Sequence, residues 1–192
     1  MKNLLGLFFA FLFVANVNAQ TIYTELRDGV IDKDFDSFSI LDPTKKPESK
    51  TKEALIISDD YVASITAYTD PNFPSPEVKK QVEHAIKHEL ITDDYKHKKS
   101  GGEMLVSYFI FSKDGKLRGD FTENEMTSID RAEEFDVKKG TLLISVIDKE
   151  SGQTVWSGFS DGAFASTSPM NDNQVIKTVS NIMDYMALEN AY

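Results

Sequence analysis

The segment Gly158-Phe159-Ser160-Asp161-Gly162 satisfies G-x-S-x-G, the pattern of a serine hydrolase nucleophile elbow. In such an elbow a tight strand-to-helix turn exposes the serine hydroxyl and aims helix N–H groups at the oxyanion. The triad partners then follow in the chain as acid and histidine. Here the three histidines, His84, His88 and His97, all precede Ser160, and the residues after Gly162 read as a loop rather than a helix start. The sequence therefore predicts that Gly158 and Gly162 bracket the end of a strand and that Ser160 is not a nucleophile.

His84 and His88 are four apart in a helical stretch, so their imidazoles could share one zinc ion, with His97 or Asp93 as a third ligand. They lie two positions beyond Val82 and Ile86, about 200° further round a helix, and so are expected to face water. The segment Glu83–Glu89 also lacks the H-E-x-x-H general base of zinc peptidases. Asp32, Asp34 and Asp36 imitate the start of a calcium loop. The EF-hand register then needs Gly at Ser37 and Glu at Pro43, and both fail. The near-repeat Ile56–Tyr61 (IISDDY) and Leu90–Tyr95 (LITDDY) could bring two acidic turns together around calcium, but each reads first as the end of a strand or helix. Arg118-Gly119-Asp120 matches an adhesion tripeptide by letter only. Trp156, the single tryptophan, could stack on a sugar or peptide if exposed. Beside the apolar run Gly140–Asp148 it is expected in the core. No residue is thus assigned a catalytic, cofactor-binding or metal-binding role, and no cofactor is expected.

The elements that must position these residues begin with an export signal. Met1-Lys2-Asn3 precedes 12 apolar residues, Leu4–Ala15, and Val17 and Ala19 then stand at the −3 and −1 positions of a cleavage site. Twelve residues are too few to cross roughly 30 Å of hydrocarbon as a helix, which takes about 20. Cleavage is expected between Ala19 and Gln20, leaving a periplasmic or secreted chain of 173 residues (192 − 19) with no transmembrane helix. The chain has no cysteine, so it is expected to carry neither disulfides nor a lipid anchor and must be held by its core. That length suits one domain, residues 20–192. Loss of Lys2 takes the formal charge from −10 to −11, which disfavours nucleic acid and anionic lipid surfaces.

Alternation predicts strands at Phe35–Leu41, Ala54–Ile57, Tyr61–Tyr68, Met104–Ser112, Lys116–Phe121, Gly140–Asp148 and Gln153–Phe159, with a further strand at Thr127–Phe135. Ser75-Pro76 starts a helix over Pro76–Ile91 whose stripe is Val78, Val82, Ile86 and Leu90. Asn171 starts a second helix, with Val175, Val179, Ile182, Met183 and Met186 on one face. Strands grouped between two amphipathic helices predict an α+β two-layer sandwich: a mainly antiparallel sheet with both helices on one face.

The segment DFDSF near the mature start, a helix ending AIKHELI, the strand MLVSYFIF, the block GTLLISVIDKESGQTVWSGFSDG and a closing helix occur in that order. This arrangement resembles the bacterial envelope family called domain of unknown function 4136, whose members are exported and often lipid-anchored. The resemblance covers most of the mature chain and is most specific over Gly140–Gly158. It implies an exported cell-envelope protein with no assigned catalytic residues. The function expected is a non-catalytic module that binds an envelope protein or ligand. The alternative is a small secreted hydrolase using Ser160 or a zinc ion on His84 and His88.

Overall fold

A computed structural model describes residues 21–26, 34–41, 53–56, 64–67, 70, 73–119, 122–123, 133–165 and 171–186. Residues 1–20, which hold the expected export signal, the acidic stretch 58–61 and the stretch 124–132 lie outside the described residues. The strands are β1 (Ile22–Leu26), β2 (Ser37–Ile40), β3 (Glu53–Ile56), β4 (Ser64–Ala67), β5 (Lys96–His97), β6 (Met104–Ile110), β7 (Gly115–Gly119), β8 (Thr122–Glu123), β9 (Glu133–Val137), β10 (Leu142–Asp148) and β11 (Thr154–Ser160). The helices are α1 (Pro76–Thr92) and α2 (Asp172–Met183).

The fold is α+β. A seven-stranded sheet has the order β5-β2-β6-β10-β11-β1-β8, and β3-β4-β7-β9 form a second sheet. The large sheet is antiparallel except at one end, where β2 runs parallel to both β5 and β6. Its centre is the β10–β11 hairpin with β6 antiparallel beside β10, and Ser145 stands opposite both Ser107 and Ser157. Strand alternation divides the apolar residues between two faces. Met104, Val106, Tyr108 and Ile110 of β6, Leu142, Ile144 and Val146 of β10, and Trp156 of β11 join the helices in the main core. Leu143, Phe109, Phe159 and Tyr23 point the other way and meet Leu117, Phe135 and Val137 of the second sheet. Both helices lie on one face of the sheet, as the sequence predicts. The second sheet on its other face is an addition that the sequence did not announce.

Each helix begins where its sequence dictates. Ser75 Oγ accepts the Val78 N–H at 3.3 Å, and Pro76 occupies the first turn, where its missing N–H costs nothing. Asn171 and Gln174 form a reciprocal capping box, each side chain accepting the other's backbone N–H. Val82, Ala85, Ile86 and Leu90 bury one face of α1, and Val175, Thr178, Val179, Ile182 and Met183 bury one face of α2. The helices run side by side in the same direction. Gln81 donates to Asp172 near both N-termini, and Asp93 and Asp184 interact electrostatically at both C-termini.

Candidate functional site

The turn after β11 answers the question that Ser160 raises. Ser160 is the last residue of β11, flanked in register by Leu142 and Ile22, and has 0% of its surface exposed. The segment 161–164 is a turn, and among the described residues the next helix starts at Asp172. The polar groups of this turn are spent on one another. Asp161 Oδ1 accepts the Lys138 N–H at 2.8 Å and lies 2.8 Å from Thr141 Oγ1, which in turn accepts the Gly162 N–H at 3.0 Å. Gly140 closes the knot: its N–H donates to Phe111 O and its carbonyl accepts from Phe164 N, both at 2.7 Å. It has φ +84°, and a β-carbon there would lie 2.2 Å from Ala165 N. The G-x-S-x-G letters therefore arise from a strand end clamped to the β9–β10 turn. A buried hydroxyl in that setting cannot reach a substrate.

The histidines face outward. His84 and His88 are exposed on α1, with His88 Nδ1 3.8 Å from a Glu89 carboxylate oxygen. His97 is on β5, its ring 5.2 Å from that of Phe38. Burial, and secondarily the Lys87 ammonium, hold the His97 imidazole below its ordinary pKa. Among the described residues no three of His, Cys, Asp and Glu gather as metal ligands would. Asp93 follows the last turn of α1, where partial burial, then the Asp184 and Asp94 carboxylates, raise its pKa. Asp94 is left-handed at φ 68° and turns the chain into β5. Asp34 and Asp36 are exposed, while Asp32 lies outside the described residues. Arg118 and Gly119 are interior to the second sheet's ladder rather than at a loop tip: both pair with β9, and Arg118 also pairs with β4. Trp156 is 1% exposed and is core, as expected.

One surface concavity is well framed. Asp34, Phe35, Gly101, Gly102, Glu103, Asp148, Lys149 and Glu150 line an open cleft of about 350 Å³, at the low end for small-ligand sites. It sits where the starts of β2 and β6 meet the β10–β11 turn. Gly102 is required here because a β-carbon would fall 2.3 Å from the carbonyl carbon of Phe38. That close approach lets the Gly102 N–H donate to Ser39 Oγ at 2.8 Å. The Asp36 N–H donates to Glu103 Oε2 at 2.7 Å, and the Lys149 N–H to Glu103 O at 2.9 Å. Asp148 is committed to its own turn, accepting from the Glu150 N–H and from Ser151 Oγ. The walls are thus held before any ligand arrives. Three exposed carboxylates, Asp34, Glu103 and Glu150, against one lysine, over the buried ring of Phe35, suit a cationic or hydrogen-bond-donating group. Sequence reading missed the cleft because its residues come from three distant segments, and only the Gly101-Gly102 pair signals a close backbone approach.

This fold is an α+β arrangement of two sheets and two helices. The match that places it is to the family described as domain of unknown function (DUF4136), over residues 25–185, and the chain belongs to that family. No curated protein matches the chain. Among solved structures it is similar to a PDZ domain protein from Parabacteroides distasonis, with 10% identity and a TM-score of 0.47. That match covers 89% of this chain, which spans only 36% of that one. It is also similar to a PelC dodecamer from Paraburkholderia phytofirmans, with 9% identity and a TM-score of 0.39, over 90% of this chain and 98% of that one.

Proposed function

We propose that the chain is an exported cell-envelope protein, a single domain from Gln20 onward, that acts as a non-catalytic binding module through its acidic cleft. Export rests on the order of charge, apolar run and small residues within residues 1–19. The binding role rests above all on Ser160: the one motif with catalytic letters has its hydroxyl fully buried, whereas the cleft beside Phe35 is open and its walls are hydrogen-bonded. A hydrolase on His84 and His88 has no comparable support, since both side chains stand in solvent.

The test is genetic complementation with Ser160→Ala and with the double change His84→Ala, His88→Ala. Both variants are expected to restore the role of the native gene at normal protein level. Loss of function in either, with the melting temperature unchanged, would overturn the reading in favour of catalysis.

A further inference from the structure

The formal charge of −10 conceals a basic edge. Lys96, His97, Lys98 and Lys99 are consecutive and all exposed, on and just after β5, which ends the large sheet. The Lys96 and Lys98 N–H groups bond to Asp36 O, just before β2, and to Phe38 O of β2, fixing this run along the sheet margin. α1 packs against the same margin, and Lys87 is close enough to act on the His97 imidazole. Lys80, Lys87 and Ile91 fall at i, i+7 and i+11, on one stripe of α1. Ile91 is 54% exposed, more than any other large apolar side chain among the described residues.

Three acids of this region are occupied or directed elsewhere. Glu83 accepts from Tyr108 Oη at 3.0 Å, Glu89 lies against His88, and Asp93 sits toward α2 beside Asp184. Asp36 and Asp94 are exposed carboxylates next to β5, and Glu77 is exposed one turn before Lys80. Short edge strands rich in lysine also guard sheets against edge-to-edge pairing. That role accounts for Lys96 and Lys98, but not for the lysines and exposed isoleucine of the adjoining helix.

We propose that the margin formed by Lys96, Lys98 and Lys99, extended by Lys80, Lys87 and Ile91 of α1, docks on the phosphate headgroups of an anionic bilayer. This is a second binding surface, apart from the acidic cleft of the role proposed above. Net charge does not forbid it. Screening confines electrostatics to about 8 Å at physiological ionic strength, so acids on the far side do not act at the contact. Clustered lysines with an apolar side chain among them are the composition of a surface that meets lipid, the long stems letting the ammonium groups spread over the headgroups while Ile91 enters the interface. An acidic protein could use the same lysines, and the vesicle experiment separates it from a bilayer.

The experiment is vesicle flotation of the chain as the cell processes it, with neutral phosphatidylcholine vesicles and with vesicles carrying phosphatidylglycerol. Preferential binding to the anionic vesicles, abolished by 0.5 M salt, is the expected result. An apolar N-terminal segment would bind both vesicles alike, so the difference isolates the basic margin. Lys96→Glu, Lys98→Glu, Lys99→Glu together should weaken binding on the order of a hundredfold. The milder pair Lys96→Gln, Lys98→Gln should weaken it roughly tenfold, and Arg118→Gln with Lys177→Gln should leave it unchanged. Equal binding to the two vesicles, or binding indifferent to the lysine changes, would overturn the proposal. So would binding to soluble polyglutamate without binding to vesicles, which would assign the margin to an acidic protein. Absence of vesicle binding would defeat this inference alone; loss of function in the histidine or serine variants would defeat the role proposed for the cleft.

Discussion

The indole ring of Trp156 occupies the space that a side chain on Gly158 would need. A β-carbon at Gly158 would lie 2.7 Å from both Cη2 and Cζ2 of the indole and 2.9 Å from Cγ2 of Ile182. Two residues on one face of β11 thus share a single volume under α2, and the V-W-x-G spacing is a packing rule. Gly158→Ala should cost about 1–3 kcal/mol, the usual penalty of overpacking. Trp156→Ala should cost about 3–5 kcal/mol by leaving a cavity. Urea melts check both, and the native indole emission should be blue-shifted. A neutral Gly158→Ala would mean that ring and helix can move apart.

Thr141 ties the start of β10 to the turn after β11. Its Oγ1 lies 2.8 Å from Lys138 O and from Asp161 Oδ1 and accepts the Gly162 N–H. Thr141→Val keeps the shape and strands these partners, which should cost about 1–3 kcal/mol. Thr141→Ser should recover most of the loss. Equal destabilisation by the two would point to the methyl group instead.

Asp93 offers a pH-dependent prediction. Its pKa is raised by burial, Asp184 and Asp94, so the folded state holds the proton more tightly than the unfolded one. The resulting penalty is absent below the unfolded carboxylate range and grows as pH rises through the folded value. The C-terminus of α1 adds to it, with no basic residue in the last turn. After solvent screening, Asp93→Asn should gain about 0.3–1 kcal/mol at neutral pH and nothing near pH 3. Melting curves at the two pH values decide it; a gain independent of pH would show that charge is not the cause.

Export is checked by the mass of the protein from its native host, which should begin at Gln20 and carry no lipid. A terminus at Met1 on most molecules would remove the export claim while leaving the fold untouched.

The parts of the fold legible in the sequence are those fixed by local rules. Ser75-Pro76 and Asn171 mark the helix starts, and the four-residue spacing of Val82, Ile86 and Leu90 marks the buried face of α1. The apolar runs at β6 and β10 read as central strands, and the burial of Trp156 follows from its place beside them. What escaped depends on distant partners. β1 owes its place to β11, some 130 residues away, with Ile22 opposite Ser160. The parallel pairing of Phe38 with Met104 has no turn to announce it. The strands of the second sheet are read from alternation, but not that they pair apart from the large sheet: Lys116, Arg118, Glu134 and Asp136 are exposed on β7 and β9, and only the meeting of Leu117, Phe135 and Val137 with Phe159 gives this sheet its place. Thr127–Phe135, read as one strand, overlaps β9 only at its end, and 127–132 lies outside the described residues.

The binding role is tested most directly by a photo-crosslinking residue placed at Glu150, on the cleft rim, in the living cell. A discrete adduct with one envelope component should form, weaken at least tenfold with Phe35→Ala or Glu103→Ala, and persist with Ser160→Ala. No adduct from the cleft, or an adduct indifferent to Phe35 and Glu103, would contradict the account.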